Sequence, residues 1–335
     1  MDALHQSPHP RDALFDPGEP AATPLPVCDH YAGVEVRMRK SLELQAEMGP
    51  VFDVTLDAED GAPVGGEMDH VALMVEMINS AQNQFGRVGA RVKPVDHPLF
   101  GNMVDALVAG AGQRLPYLMI PKVRGVADVD RAAAAVDQAC QRHGIARTVP
   151  LHTLAETHGA LRDIDAIAAH ARIESVSFGL MDFVSAHRGA IPQSAMSVQG
   201  QFDHPLVLRA KLDIAAACHA HGKTPSHCVV TEFKDTQALA AAADKAIRTL
   251  GYTRMWSIHP GQIPTIVDAF SPTVAEVDHA VEILLAAQDA HWAPIRHQDI
   301  LHDRASYRYF WHVLERAHRT GQPLPADVME RFFAA

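Results

Sequence analysis

Two hydrophobic periods take turns along this chain. Short apolar runs of strand length fall at 52–57 (FDVTLD), 88–93 (VGARVK), 117–121 (YLMIP), 148–154, 174–181, 226–231 (SHCVVT) and 254–258 (RMWSI). Between them, stretches with helical spacing cover about 68–85, 98–111, 126–143, 158–171, 205–221 and 235–250. Most of these end near a glycine (Gly86, Gly112, Gly144, Gly222, Gly251), the residue expected just past a helix C-terminus. Seven strands are plain, and a weaker run at 25–32 would make eight. Strict strand–helix alternation at that count predicts a (β/α)8 TIM barrel over 27–270 rather than an open sheet. No GxGxxG follows any strand, as a nucleotide-binding open sheet would require.

The flanks follow other rules. Residues 1–26 carry Pro8, Pro10, Pro17, Pro20, Pro24 and Pro26 among polar residues, which predicts an irregular N-terminal arm. Residues 33–48 have helical spacing. The polar segment 184–204 reads as a loop over the barrel mouth. Past residue 270 the alternation stops: a helix at about 273–291, the stretch IRHQDILHDRAS and a last helix near 305–319 form a C-terminal helical extension (271–335). Eight βα units do not need it, and such an arm suits a subunit interface.

Composition narrows the class. At 335 residues and 47% hydrophobic, the chain can bury one large core, and 6% aromatics suits helices packed on a sheet. A formal charge of −11 argues against nucleic acid as the main partner. Cys28, Cys140, Cys218 and Cys228 form no CxxC pair, which predicts free thiols in a reducing cytoplasm. Neither a signal-peptide pattern nor an apolar stretch of about 20 residues is visible, so the reading is cytoplasmic and not membrane-bound.

Chemistry gathers where strands end. Asp57, Glu59 and Asp60 follow the first plain strand, Arg91 lies in the second and Lys122 follows the third. Then come Glu156, Asp182, the group Glu232-Lys234-Asp235, and His259. In a parallel barrel these ends share one face, where ligands bind. Glu156 and Asp182, on neighbouring strands, have the charge and hardness to hold one Mg2+; the alternative is that each caps the helix after it. Lys122 has two readings, a Schiff-base nucleophile or a wall residue. His219 and His221, two apart at a helix end beside Cys218 and Cys228, do not share a face and read as surface histidines, not zinc ligands.

In order along the chain stand DVTLDAEDGAP (53–63), ARVKP (90–94), IPKV (120–123), LAETHGAL (154–161), FGLMDF (178–183) and SIHPGQIP (257–264). With these pieces the chain resembles the citrate lyase β-subunit-like group of the HpcH/HpaI aldolase superfamily, which includes malyl-CoA and citramalyl-CoA lyases. The resemblance implies a Mg2+-dependent barrel, a homo-oligomer (trimer or hexamer), that cleaves or forms a C–C bond beside a CoA thioester. It implies Glu156 and Asp182 as metal ligands and Arg91 as the arginine holding the keto-acid or enolate oxygen. Glu59 and Asp60 would line the site, and His259 would lie near the CoA arm. Asp303, with Asp299 as second choice, would be the acid/base supplied by a neighbouring subunit. The chain departs from the pattern in three places: no S-x-L-F-V-P-G strand follows a basic pair, Gly61-Ala62-Pro63 replaces Ala-Val, and Leu301-His302-Asp303 replaces M-I-D. The expected reaction splits citryl-, malyl- or citramalyl-CoA into acetyl-CoA and a 2-keto acid. The alternatives are a CoA-independent aldolase releasing pyruvate or oxaloacetate, and an inactive metal-binding barrel serving as a binding subunit.

Overall fold

The computed structural model describes residues 8–19 and 24–334. Eight parallel strands close on themselves in sequence order: β1 (Cys28–Ala32), β2 (Phe52–Asp57), β3 (Val88–Arg91), β4 (Leu118–Ile120), β5 (Leu151–Ala155), β6 (Ile173–Phe178), β7 (Thr224–His227) and β8 (Arg254–Ser257). Closure comes from β1, which pairs with β2 (Cys28↔Phe52) and with β8 (Cys28↔Met255). The weak run at 25–32 is therefore the strand that completes the barrel.

Alternation along β2 sorts the side chains. Phe52, Val54 and Leu56 join the apolar cluster shared with the surrounding helices. Asp53, Thr55 and Asp57 turn the other way and meet residues of other strands. The interior is layered. Towards the strand starts, fully buried Arg254 lies 2.6 Å from Asp53 and 3.2 Å from Asp29. Thr55 donates to Asp29 (2.7 Å) and meets the Tyr117 hydroxyl, while the Tyr117 ring stacks on His152 at 3.8 Å. Above this comes an apolar layer of Tyr31, Met119, Leu154 and Trp256. A third, strongly charged layer forms the mouth.

Several element limits differ from the sequence expectation. The strand read at 174–181 stops at Phe178, and Leu180 already opens the helix Leu180–Ala186, so Asp182 sits in a first helical turn. The strand read at 226–231 is Thr224–His227; Cys228, Val229 and Val230 stay buried after the ladder has ended. Segment 184–204 is not plain loop, since Gln193–Met196 and Gly200–Asp203 are short helical turns.

A second compact unit joins the described part of the arm to residues 271–334. The helices Val274–Asp289 and Arg304–Arg319 pack around Tyr307, Trp311 and Leu314. IRHQDILHDRAS contains a hairpin of two antiparallel strands, β9 (Ile295–His297) and β10 (Ile300–His302). The arm contains one ordered turn, Pro10–Leu14, and is not irregular there. Pro10 stands at the first helical position, His9 caps it, and Leu14 is buried in this unit's core. Among the described residues no helix is long and apolar enough to cross a membrane.

Candidate active site

The mouth is built from strand ends inward. β2 and β3 are in register, Asp57 opposite Arg91. Arg91 donates to both Asp57 oxygens, Nε to Oδ1 at 2.7 Å and Nη2 to Oδ2 at 2.5 Å. This two-point grip fixes the guanidinium plane. Its third nitrogen, Nη1, lies 3.5 Å from Glu59 Oε2. The guanidinium carbon stands 5.2 Å from the Tyr31 ring and 5.5 Å from the Trp256 ring, a cation–π pair of contacts. Arg91 is only 5% exposed; burial works against its charge, but Asp57 holds the group above the ordinary arginine range. The turn after β2 is tied to the same carboxylate, since Asp57 accepts from the backbone N–H of Glu59 and of Gly61, both at 2.9 Å. A β-carbon at Gly61 would overlap Asp57 Oδ2, so the turn requires glycine.

Lys122 is the hub. Its backbone is left-handed (φ 52°), uncommon for a side-chain-bearing residue. In that conformation its N–H donates to Glu156 Oε1 at 2.7 Å. Its ammonium donates to Glu59 at 2.7 Å and Asp60 at 2.9 Å, and lies 3.8 Å from Asp182. One residue thus touches four acids. Burial lowers the affinity of the Lys122 amine for its proton, but the hydrogen bonds to Asp60 and Glu59 raise it above the ordinary value. A clamped ammonium is no Schiff-base nucleophile, which removes that reading of Lys122.

Glu156, just past β5, is 3% exposed. Burial pushes its carboxyl up to about 8, and the negative charge of Asp182 pushes the same way. Gly179 lies against it: a β-carbon there would overlap Oε2. The layer therefore holds five carboxylates (Asp57, Glu59, Asp60, Glu156, Asp182) and two cations (Arg91, Lys122). With all five ionised the surplus is negative, and among the described residues Glu156 forms no ion pair while Asp182 stands 3.8 Å from Lys122. Buried Glu156 and half-exposed Asp182 are hard oxygen donors whose charge, once both are ionised, suits a divalent Mg2+ ion.

The expected site residues separate into three groups. Glu59, Asp60, Arg91, Glu156 and Asp182 converge on the one mouth. His259 lies on the loop after β8, where it caps the turn Pro260–Gln262 and stacks on Phe233 at 4.9 Å. Asp303 and Asp299 belong to the second unit. Exposed Asp303 caps the helix Arg304–Arg319 through the Ala305 and Ser306 N–H groups, while Asp299, in the hairpin turn, pairs with Arg296 at 2.8 Å. The sequence reading counted Asp57 among the strand-end acids without giving it a partner, and gave no site role to Tyr31 or Trp256. Asp57 was traceable, since it ends the inward face of β2 as Arg91 ends β3. A cavity of about 560 Å3 adjoins the Asp182 helix, lined by Met181, Gln193, Met196, Thr231 and Glu232.

Residues 53–260 match the sequence family described as HpcH/HpaI aldolase/citrate lyase. The chain belongs to this family. Its barrel and the acids at its strand ends lie almost wholly inside the matched span. A citrate lyase from Burkholderia xenovorans LB400 is 51% identical, with 97% of this chain and 100% of that one covered at a TM-score of 0.84. The L-malyl-CoA/beta-methylmalyl-CoA lyase of Cereibacter sphaeroides is 28% identical over 250 residues, 71% of this chain and 77% of that protein. CitE of Mycobacterium tuberculosis, solved with magnesium, acetoacetate and coenzyme A, is 19% identical and shares the fold at a TM-score of 0.66, covering 88% of this chain and 98% of that one. Family membership brings the enzyme class with it, a carbon–carbon lyase of the citrate lyase β type.

Proposed function

We propose that this lyase cleaves, or in reverse forms, a 3-hydroxyacyl-CoA such as malyl-, citramalyl- or citryl-CoA, giving acetyl-CoA and a 2-keto acid. The observation that carries the reading is the pair of neighbouring carboxylates Glu156 and Asp182, set beside a guanidinium already oriented by Asp57. Those two carboxylates would hold Mg2+. Bound there, the ion supplies Lewis-acid polarisation of the keto-acid oxygen.

The chain's own residues account for the rest. As the substrate hydroxyl loses its proton, the C2–C3 bond breaks and its electron pair moves onto the thioester as an enolate. Arg91, with two N–H groups committed to Asp57 and the remainder turned towards Glu59, is a rigid positive charge ready for that developing anion. Lys122 holds Glu59 and Asp60 in place as walls of the site. Asp303, exposed at the start of a helix in the second unit and supplied by a neighbouring subunit of a trimer or hexamer, takes the hydroxyl proton as base and returns it to the enolate carbon as acid. The cavity beside Met181 and Glu232 offers room for the thioester arm.

A panel of malyl-, citramalyl- and citryl-CoA, assayed for acetyl-CoA release with and without Mg2+, tests this. Turnover of at least one thioester, dependent on Mg2+ and lost in Arg91→Ala, is the expected result. Turnover of free hydroxy acids alone would replace the proposal with a CoA-independent aldolase. Silence with both substrate classes would leave a binding subunit.

A further inference from the structure

In the second unit, His279 and Glu282 lie one turn apart on the helix Val274–Asp289, and β9 brings His297 against them. His297 Nε2 is 3.1 Å from Glu282 Oε2, and one ligand atom from each of the three lies within 4.8 Å of the others. The His279 and His297 ring centroids are 5.9 Å apart. His302 of β10 stands beside both, 6.2 Å from the His279 ring and 6.4 Å from that of His297. It is 5% exposed, and neither of its ring nitrogens has a hydrogen-bond partner. A buried imidazole in that state has lost water without replacing it, an arrangement that costs free energy unless something fills the gap. Phe310 closes the apolar side, 5.1 Å from His279 and 5.6 Å from His302.

Two imidazoles and a carboxylate, with a third imidazole adjacent, make a donor set quite unlike the all-oxygen mouth. Nitrogen donors of this kind select zinc and its neighbours in the first transition row; Mg2+ prefers oxygen and water. We propose that His279, Glu282 and His297 form a transition-metal site of the zinc type, with His302 or water completing the coordination. A metal there would tie the β9–β10 hairpin to the helix Val274–Asp289, and so steady the chain leading into Asp303.

The test is calorimetric titration of Zn2+ into the full chain in excess Mg2+, which keeps the mouth occupied. The wild type should take up one equivalent with a dissociation constant of about micromolar or tighter, and its melting temperature should rise with the metal. Glu282→Gln, at an exposed position that does not endanger the fold, should weaken uptake by about tenfold or more. The double variant His279→Ala/His297→Ala should abolish both uptake and the melting shift. Glu156→Gln should leave Zn2+ uptake unchanged. Equal uptake by wild type and double variant, or loss of uptake in Glu156→Gln, would overturn the assignment, the second result by moving the zinc to the barrel mouth.

Discussion

Glu156 shows how much chemistry one side chain's surroundings can add to its type. An ordinary glutamate titrates near about 4.3, and this one, buried and facing Asp182, is pushed up to about 8. Between those values the folded, metal-free chain binds a proton that the unfolded chain has lost. Stability should therefore fall as the pH rises across that window, by no more than about 1.4 kcal/mol per unit, and level off above about 8. Glu156→Gln should remove that slope and make the metal-free protein the more stable of the two at pH about 8.5, as thermal melting would register. Mg2+ needs the carboxylate, so its affinity should climb with pH up to about 8 with release of a proton, visible by calorimetry in two buffers of different ionisation heat. The same slope in the Gln variant would remove Glu156 as the source. That an acid stands at 156 is legible in the sequence. Its protonation is not, because desolvation depends on what Gly179 and Lys122 bring against it.

At the scale of elements, the strands show where pattern and structure agree and where they part. Hydrophobic alternation located β2 to the residue. It overran β6 and misplaced β7, because apolar character reports burial and not ladder pairing: Leu180 and Cys228–Val230 are buried beyond the last strand hydrogen bonds. The β9–β10 hairpin escaped notice for a different reason. Its strands are three residues each, and the left-handed turn positions are Gln298 (φ 46°) and Asp299 (φ 65°) rather than the Asn-Gly or Asp-Gly pair that signals such turns. Inside the barrel, Arg254 opens β8 as what looks like a surface cation, yet it is fully buried between Asp29 and Asp53. Arg254→Met should strand two acids in the interior and cost about 3–5 kcal/mol, read as a lowered denaturant midpoint. Restoring stability by adding Asp29→Asn and Asp53→Asn would show that the stranded charges, rather than lost packing, cause the effect.

For the molecule as a whole, the proposed reaction takes its acid/base from the second unit of a neighbouring subunit. Asp303→Ala should lower turnover by about 10²–10⁴-fold if that residue delivers the proton. Mixed with Arg91→Ala, itself inactive, it should recover activity in co-assembled oligomers, since each species retains the half of the site that the other lacks. No recovery would place the acid/base within one chain and point to a carboxylate of the mouth instead. Recovery would assign the C-terminal extension a catalytic part besides its packing role.

From the sequence alone follow the eight-fold alternation of strand and helix, the acids waiting at the strand ends, and membership of a lyase family. Each of these is local: a period of two or 3.6, a residue next to a strand terminus, a short motif read in order. Tertiary structure alone decided that Asp57 grips Arg91, that Lys122 joins four carboxylates, and that burial beside Asp182 pushes the Glu156 carboxyl up. It alone also brought His297 against His279 and Glu282. These contacts join residues 15 to 63 positions apart, and their existence rests on the register in which the barrel closes and the hairpin folds back. No periodicity in the chain encodes that register, which the packing of every element against its neighbours sets at once.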